Sequence, residues 1–348
     1  MSCSRQKKWQ ETLCSSNQQG MALLITIMTV SLLIAVTMQF HKTTWQQFVV
    51  AHNYQAATQL TAIADSGINI AAALLENDGA ENTADSLLES WATLDQEKFE
   101  EAFPDGSLQL QVVDLSSRLQ INSLVQENDR NDDVAGADNT EGEVRQLFLN
   151  LLLSGTFAID DETEAQGILD ALIDWLDSDD KESDLGAEDS YYQSLEKPYS
   201  CRNGPVQYLE ELLLIKGMTP ELLLGTAENP GLAEYLTVKG NDGKVNINTA
   251  PLPVIKCFDA LIGEELLEKF DTYRKDKEHA ENLANPNWYR EVDGWPGDIV
   301  LQEKLMRVTS SYFEIIATGK LASQSRTVHV VATRSDAGEI QLLGRKME

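Results

Sequence analysis

The chain has 348 residues, of which 56 are acidic and only 27 are Lys or Arg, giving a formal net charge of −29. Nucleic-acid phosphates and anionic membrane surfaces repel such a protein, which argues against binding either through charge. Roughly 300 residues follow the first apolar stretch, room for one large or two ordinary domains.

A short polar leader with Arg5, Lys7 and Lys8 ends at Gly20, and an uncharged apolar run then extends from Met21 to Phe40. That run is long enough to cross roughly 30 Å of hydrocarbon as a helix. It exceeds the usual core of a secretory signal peptide, and the small residue suited to cleavage stands before it rather than after it. Two readings stay open: a leader trimmed on the cytoplasmic side between Gly20 and Met21, or an uncleaved single-pass anchor. In both, the basic leader lies in the cytoplasm and the chain beyond Phe40 lies outside.

Helical patterning continues past the apolar run. Ala56, Leu60, Ile63, Ile70 and Leu74 recur at helical spacings, so one helix is expected from Met21 to about Leu75, stopped by Glu76-Asn77-Asp78-Gly79. A second helix is expected over Ser86–Phe103. Ser107–Asp114 alternates apolar and polar residues as a half-buried strand does, and Arg118–Asn122 does the same. The pattern is then helical until alternation returns in Tyr312–Ala317, Thr327–Ala332 and Glu339–Leu343, with Asp336-Ala337-Gly338 as a hairpin turn. Strands before Asn122 and after Ser311 must meet to form a sheet. The expectation is an α+β fold: leader 1–20, membrane half of the helix 21–40, helix and first strands 41–122, an inserted helical domain 123–310, and closing strands 311–348.

The strongest chemical cluster is Asp174, Asp177, Asp179, Asp180, Asp184, Glu188 and Asp189. Asp177, Asp179 and Glu188 fall at the first, third and twelfth positions of a Ca²⁺-binding EF-hand loop, but Lys181 and Glu182 stand where that loop needs an oxygen ligand and Gly. It is therefore not an EF-hand. A loop folded around a hard cation and a solvated acidic loop both remain. The stretch Asp129–Asp133 reads as a solvated insert. Cys201 and Cys257 fall beyond Phe40, where an oxidising compartment favours a disulfide; two unpaired buried thiols are the alternative.

Leu212–Pro220 and Val245–Pro251, the latter continuing to Leu267, are similar to helix–hairpin–helix units, whose DNA-binding versions present backbone N–H groups and nearby Lys to phosphate. Here Lys216 stands almost alone among acids, so a packing role is favoured over a DNA-uptake or DNA-binding receptor. An acid/base pair of Asp174 and Glu188, as in glycosidases, finds no support elsewhere. The four histidines, His41, His52, His279 and His329, are scattered, and no G-x-S-x-G motif occurs. No enzymatic activity is expected.

The Gly20/Met21 junction followed by an apolar helix resembles a type IV pilin-like processing site. With Asp114–Asn122, Ala171–Asp177, Gly186–Tyr192, Leu209–Leu212 and Val245–Ala250 in this order, the chain resembles the K-type minor pseudopilins of the type II secretion system (general secretion pathway protein K family). Most pilins and pseudopilins carry Glu at the fifth mature position, where it is thought to pair with a neighbour's terminal amine. Here that position is Ile25, an exception shared by the K-type branch and tolerable at a tip with no subunit above it. The resemblance implies a type IV pilin-like fold with a helix–hairpin–helix-like or SAM-like insertion. It implies cleavage between Gly20 and Met21 by the prepilin peptidase and N-methylation of Met21. It also implies anchoring in the inner membrane with the rest in the periplasm, contact with the inner-membrane assembly platform, and assembly with H-, I- and J-type minor pseudopilins at the pseudopilus tip. Finally it implies structural calcium in the helical domain, with Asp174, Asp177, Asp179, Glu188 and Asp189 as the candidate ligands.

Overall fold

A computed structural model of the chain describes residues 6–101, 103–125, 140–159, 161–335 and 337–348. The acidic stretch Asp129–Asp133 and turn residue Asp336 lie outside them. The chain divides into two compact units, Met1–Thr61 and Ala62–Glu348.

Helix α1 spans Gln6–Glu81. In the first unit, the side chains from Met21 to Tyr54 are exposed, including Leu23, Leu24, Ile27 and Leu33. Among the described residues this is the one helix long and apolar enough to cross a membrane, with an 18-residue window of mean hydropathy 2.4. Several of its threonine hydroxyls bond back to carbonyls of the helix. Thr26 Oγ1 donates to Leu23 O at 2.8 Å and Thr37 Oγ1 to Leu33 O at 2.9 Å, which lowers the cost of placing them in lipid.

In the second unit, α1 is followed by α2 (Gln96–Glu101) and β1 (Ser107–Asp114). The sheet is completed by β6 (Tyr312–Leu321), β7 (Gln324–Arg334) and β8 (Ile340–Met347), in the order β1-β6-β7-β8, with every pairing antiparallel. Alternate residues Leu108, Leu110, Val112, Phe313, Ile315, Ala317, Val328, Val330 and Ala332 form the buried face against α1. Ile63, Ala64, Ile68, Ala71 and Leu75 meet them from the helix. A Cβ on Gly67 would stand 2.8 Å from Leu108 Cδ1 and 3.2 Å from Ala317 Cβ, so Gly67 marks the closest approach of helix and sheet. The expected stripe included Ile70, which is exposed. Ala64, Gly67 and Ala71 share that contact with the larger Ile63, Ile68 and Leu75.

Two boundaries differ from expectation. Helix α1 continues through Gly79 because the missing side chain leaves room for Arg334 Cδ, 2.9 Å from where a Cβ would be. The expected Ser86–Phe103 helix shrinks to α2, because Trp91 is pinned: it is 2% exposed, donates to Glu89 Oε2 at 2.7 Å and stacks edge-on against Phe313. The Gln96 amide meanwhile clamps the outer edge of β1, donating to Leu110 O at 2.6 Å and accepting from Leu110 N at 3.2 Å.

Between β1 and β6 the chain is largely helical. It contains β2 (Leu119–Gln120), α3 (Thr140–Leu152), α4 (Glu162–Leu176), α5 (Asp189–Gln193), α6 (Pro220–Leu224), β3 (Leu236–Thr237), β4 (Val245–Asn246), α7 (Leu252–Lys256), α8 (Glu264–Lys275) and β5 (Met306–Arg307). The Arg118–Asn122 strand does not join the sheet. Only β2 is extended, paired in parallel with β3, because both its side chains are buried and Asn122 is drawn into a clamp with Val206 and Val238 O.

The helical part has its own apolar core, separate from that under the sheet. The seam between the two cores is polar. Asp114, at the end of β1, accepts from Ser116 N, Asn246 Nδ2, Thr249 Oγ1 and Ser310 Oγ. Asn246 also donates to Asp85 O at 3.2 Å, and Asn248 bridges Asp85 O and Leu283 O. The Val245–Ala250 stretch is thus a buried hydrogen-bonded joint, in keeping with the packing role favoured for it.

A candidate cation-binding loop

Helix α4 starts at Asp161, whose carboxylate accepts from Glu164 N at 2.9 Å as an N-cap. Ile168, Leu169, Leu172 and Trp175 bury its inner face. Asp170 and Asp174, one helical turn apart, are also buried. The returning loop is fastened to both. Asp170 accepts from Leu185 N at 3.2 Å. Asp174, with no exposed surface, accepts from Ser183 N at 3.1 Å, Ser183 Oγ at 2.6 Å and Ala187 N at 2.8 Å. Gly186 is required there, because a Cβ would lie 1.9 Å from Asp174 Oδ2.

This return brings an oxygen of Asp174, one of Asp177 and one of Glu188 within 4.8 Å of one another. Glu188 is 2% exposed. Neither of its carboxylate oxygens has a hydrogen-bond partner of ordinary geometry among the described residues; the neighbouring Cys201 thiol is only a weak donor. Burial, reinforced by the charges of Asp174 and Asp177, pushes Glu188 up to about 7. Burial, then the neighbouring Asp179 and Asp174, raises Asp177 as well. Three converging carboxylates with an orphaned, buried member form an all-oxygen donor set suited to a hard divalent cation.

Asp179 and Asp189 stand outside this trio. Asp179 is exposed and accepts from Lys181 N at 2.9 Å. Asp189 opens α5 and accepts from Cys201 N at 3.0 Å. Sequence reasoning passed over Asp170, whose burial at helical spacing from Asp174 was its only signal. The packing role favoured for the Lys216 hairpin takes a specific form that the sequence did not display: Lys216 Nζ reaches Gly186 O at 2.7 Å.

The expected Cys201–Cys257 disulfide is absent: both thiols are free. Each faces a different carbonyl, Cys201 Sγ that of Asp174 at 3.7 Å and Cys257 Sγ that of Pro253 at 2.8 Å. Burial pushes both thiols up to about 12, away from the reactive thiolate. Gly20 and Met21 lie inside α1 and are exposed, with nothing within 4 Å of a Cβ placed on Gly20.

A second acidic group, unforeseen in the sequence, joins Asp78, Asp85 and Glu89 at the polar seam. It already holds a cation. Arg334 Nη1 lies 3.0 Å from Asp78 Oδ2, and Nη2 bonds both oxygens of Asp85.

A family description, type II secretion system protein K, matches residues 117–226. The type II secretion system protein K of Pseudomonas aeruginosa is 25% identical over 95% of this chain and 93% of its own length. That of Aeromonas hydrophila is 26% identical over 94% and 96%. The fold matches a chain of the crystal structure of the GspK-GspI-GspJ complex from enterotoxigenic Escherichia coli with a TM-score of 0.63 and 16% identity, covering 86% of this chain and 99% of that one. The matched region contains the carboxylate loop, the two relatives align along nearly their whole length, and the long helix, small sheet and helical insertion share the fold of the solved chain: the sequence is similar to type II secretion system protein K from end to end.

Proposed function

We propose that the chain is a minor pseudopilin that caps the pseudopilus tip of a type II secretion system and starts its assembly together with H-, I- and J-type minor pseudopilins. The observation that carries this reading is the joining of an exposed apolar helix to a pilin-like sheet interrupted by a large helical insertion. The helix offers the surface for lipid and for neighbouring helices. The insertion is too bulky for a position within a tightly stacked filament and suits its end. The structural relative is itself in complex with GspI and GspJ, which supports I- and J-type partners here.

In this reading the basic leader stays in the cytoplasm, α1 anchors the subunit in the inner membrane, and the sheet and insertion lie in the periplasm. The assembly platform then draws the subunit from the bilayer. The prepilin peptidase cuts between Gly20 and Met21, and Met21 is N-methylated. Calcium is held by Asp174, Asp177 and Glu188, where it supplies positive charge to a buried acidic site and fixes the loop. The role is structural rather than catalytic. Asp174 and Glu188 are both buried, Asp174 with no exposed surface, which withdraws them from the open cleft that a glycosidase pair needs. Lys216, directed at carbonyls, is withdrawn from any phosphate contact of a DNA receptor.

Processing provides the test. Co-expressed with the peptidase, the chain should be recovered beginning at N-methylated Met21, and Gly20→Val should leave the leader attached. Cleavage of the Gly20→Val chain at the same bond, or an intact leader on the unsubstituted one, contradicts the assignment.

A further inference from the structure

The turn after Leu214 carries the lysine that a DNA-binding hairpin would offer to phosphate, yet here that side chain points into the protein. Lys216 Nζ donates to Gly186 O at 2.7 Å and to Leu185 O at 3.2 Å. Its backbone N–H donates to Tyr192 Oη at 3.4 Å, and its ammonium lies 5.2 Å from the centre of the Tyr191 ring. The turn is seated by Gly217, at φ +85°, where a Cβ would lie 3.0 Å from Ile168 Cγ1 on α4.

The carbonyl that Lys216 holds belongs to the Gly186–Ala187 peptide. The N–H of that same peptide donates to Asp174 Oδ2 at 2.8 Å. A trans peptide directs its C=O and N–H to opposite sides, and no cis bond occurs among the described residues. One planar unit is therefore gripped at both ends, by an ammonium outside the loop and by a carboxylate inside it. An ammonium on the oxygen also polarises the peptide and strengthens its N–H as a donor. The next residue is Glu188, whose two oxygens are buried without a partner.

We propose that Lys216 is a positioning residue for the cation loop: by fixing the Gly186–Ala187 peptide it holds Asp174 and Glu188 in the arrangement that receives the cation. This rests on the calcium reading above. The second hairpin of the insertion is thereby linked to cation occupancy, although no ligand comes from it.

Calorimetric titration of calcium chloride into the full-length, detergent-solubilised protein tests this, with melting temperatures measured in excess chelator and in calcium. Lys216→Met keeps the aliphatic stem and removes the donor; its calcium Kd should rise about tenfold, the scale of a charge-assisted hydrogen bond. The calcium-dependent rise in Tm should shrink with it. Lys216→Arg, which retains a cationic donor, should bind within about threefold of the unsubstituted chain. If Lys216→Met does not fold, Lys216→Gln, with a neutral donor, carries the same comparison. A Lys216→Met or Lys216→Gln chain that binds calcium with the original Kd, even with a lower Tm in chelator, overturns the proposal. Failure of the unsubstituted chain to bind calcium sinks the cation reading itself, and this proposal with it.

Discussion

Glu188 and Glu89 show how burial sets the behaviour of single carboxyls in this chain. Each sits among other acids, and each is raised, Glu188 to about 7 and Glu89 to about 8, chiefly by burial. Asp85 is raised to about 6 for the same first reason, against the pull of Arg334. A carboxyl with a raised folded-state pKa binds a proton more tightly in the folded than in the unfolded chain. Its stabilising contribution is complete below the unfolded pKa and is lost as pH rises through the folded value. In excess chelator, the melting temperature should therefore fall between pH 5 and pH 8. Glu89→Gln keeps an acceptor for Trp91 Nε1 and cannot ionise, so it should flatten that slope. A Tm that rises over the same interval in the unsubstituted chain contradicts the sign. The sequence displayed Asp174, Asp177 and Glu188 as a cluster, but it could not separate them from Asp179 and Asp189. The difference lies in which way the loop turns each side chain, and that is decided by Gly186 and by donors from Ser183 and Ala187 rather than by spacing.

Elements carry two further consequences. The carboxylate loop is the segment a cation would order. Ligand occupancy at about a hundred times Kd stabilises by roughly 2.7 kcal/mol, which for a domain of this size corresponds to a Tm shift of about 5–10 °C. Excess chelator should lower the melting temperature by that order, and Glu188→Ala should abolish the difference. An identical Tm with and without chelator, with no calcium found by metal analysis, returns the loop to a solvated acidic turn. Where α1 crosses the sheet, Gly67→Val places branched carbon against Leu108 and Ala317. Overpacking of this kind costs about 1–3 kcal/mol, measurable by denaturant unfolding; an unchanged midpoint would mean that helix and sheet are not in close contact there. Strands β1, β6 and β7 were legible because each has one buried and one partly open face, which prints a period of two, whereas β8 is exposed along nearly its whole length. The α1 contact was less legible, since Ala64, Gly67 and Ala71 matter for their smallness, which a search for large apolar residues passes over. The Gln96 clamp on β1 had no signal at all, as a surface amide looks the same whether or not it meets a strand edge.

At the scale of the whole molecule, two apolar cores meet across a joint of buried polar groups, with Asp114, Asn246, Asn248, Asp85 and Ser310 bonded to one another. Directional bonds fix the insertion on the sheet more specifically than apolar contact does, since an unmade bond at a buried site costs about 1–3 kcal/mol. The stretches Asp114–Asn122 and Val245–Ala250 supply much of that joint. They carried the family resemblance in the sequence, but their linkage through Asp114 and Asn246 appears only in the fold. A rigidly mounted insertion is compatible with the proposed position at the end of a filament. The central claim is that this subunit assembles with the I- and J-type minor pseudopilins. Its most direct test is co-purification of the full-length chain after co-expression with those two partners, with stoichiometry read by native mass spectrometry. The account predicts one ternary complex containing a single copy of each subunit; recovery of this chain alone, with both partners expressed and folded, would contradict it.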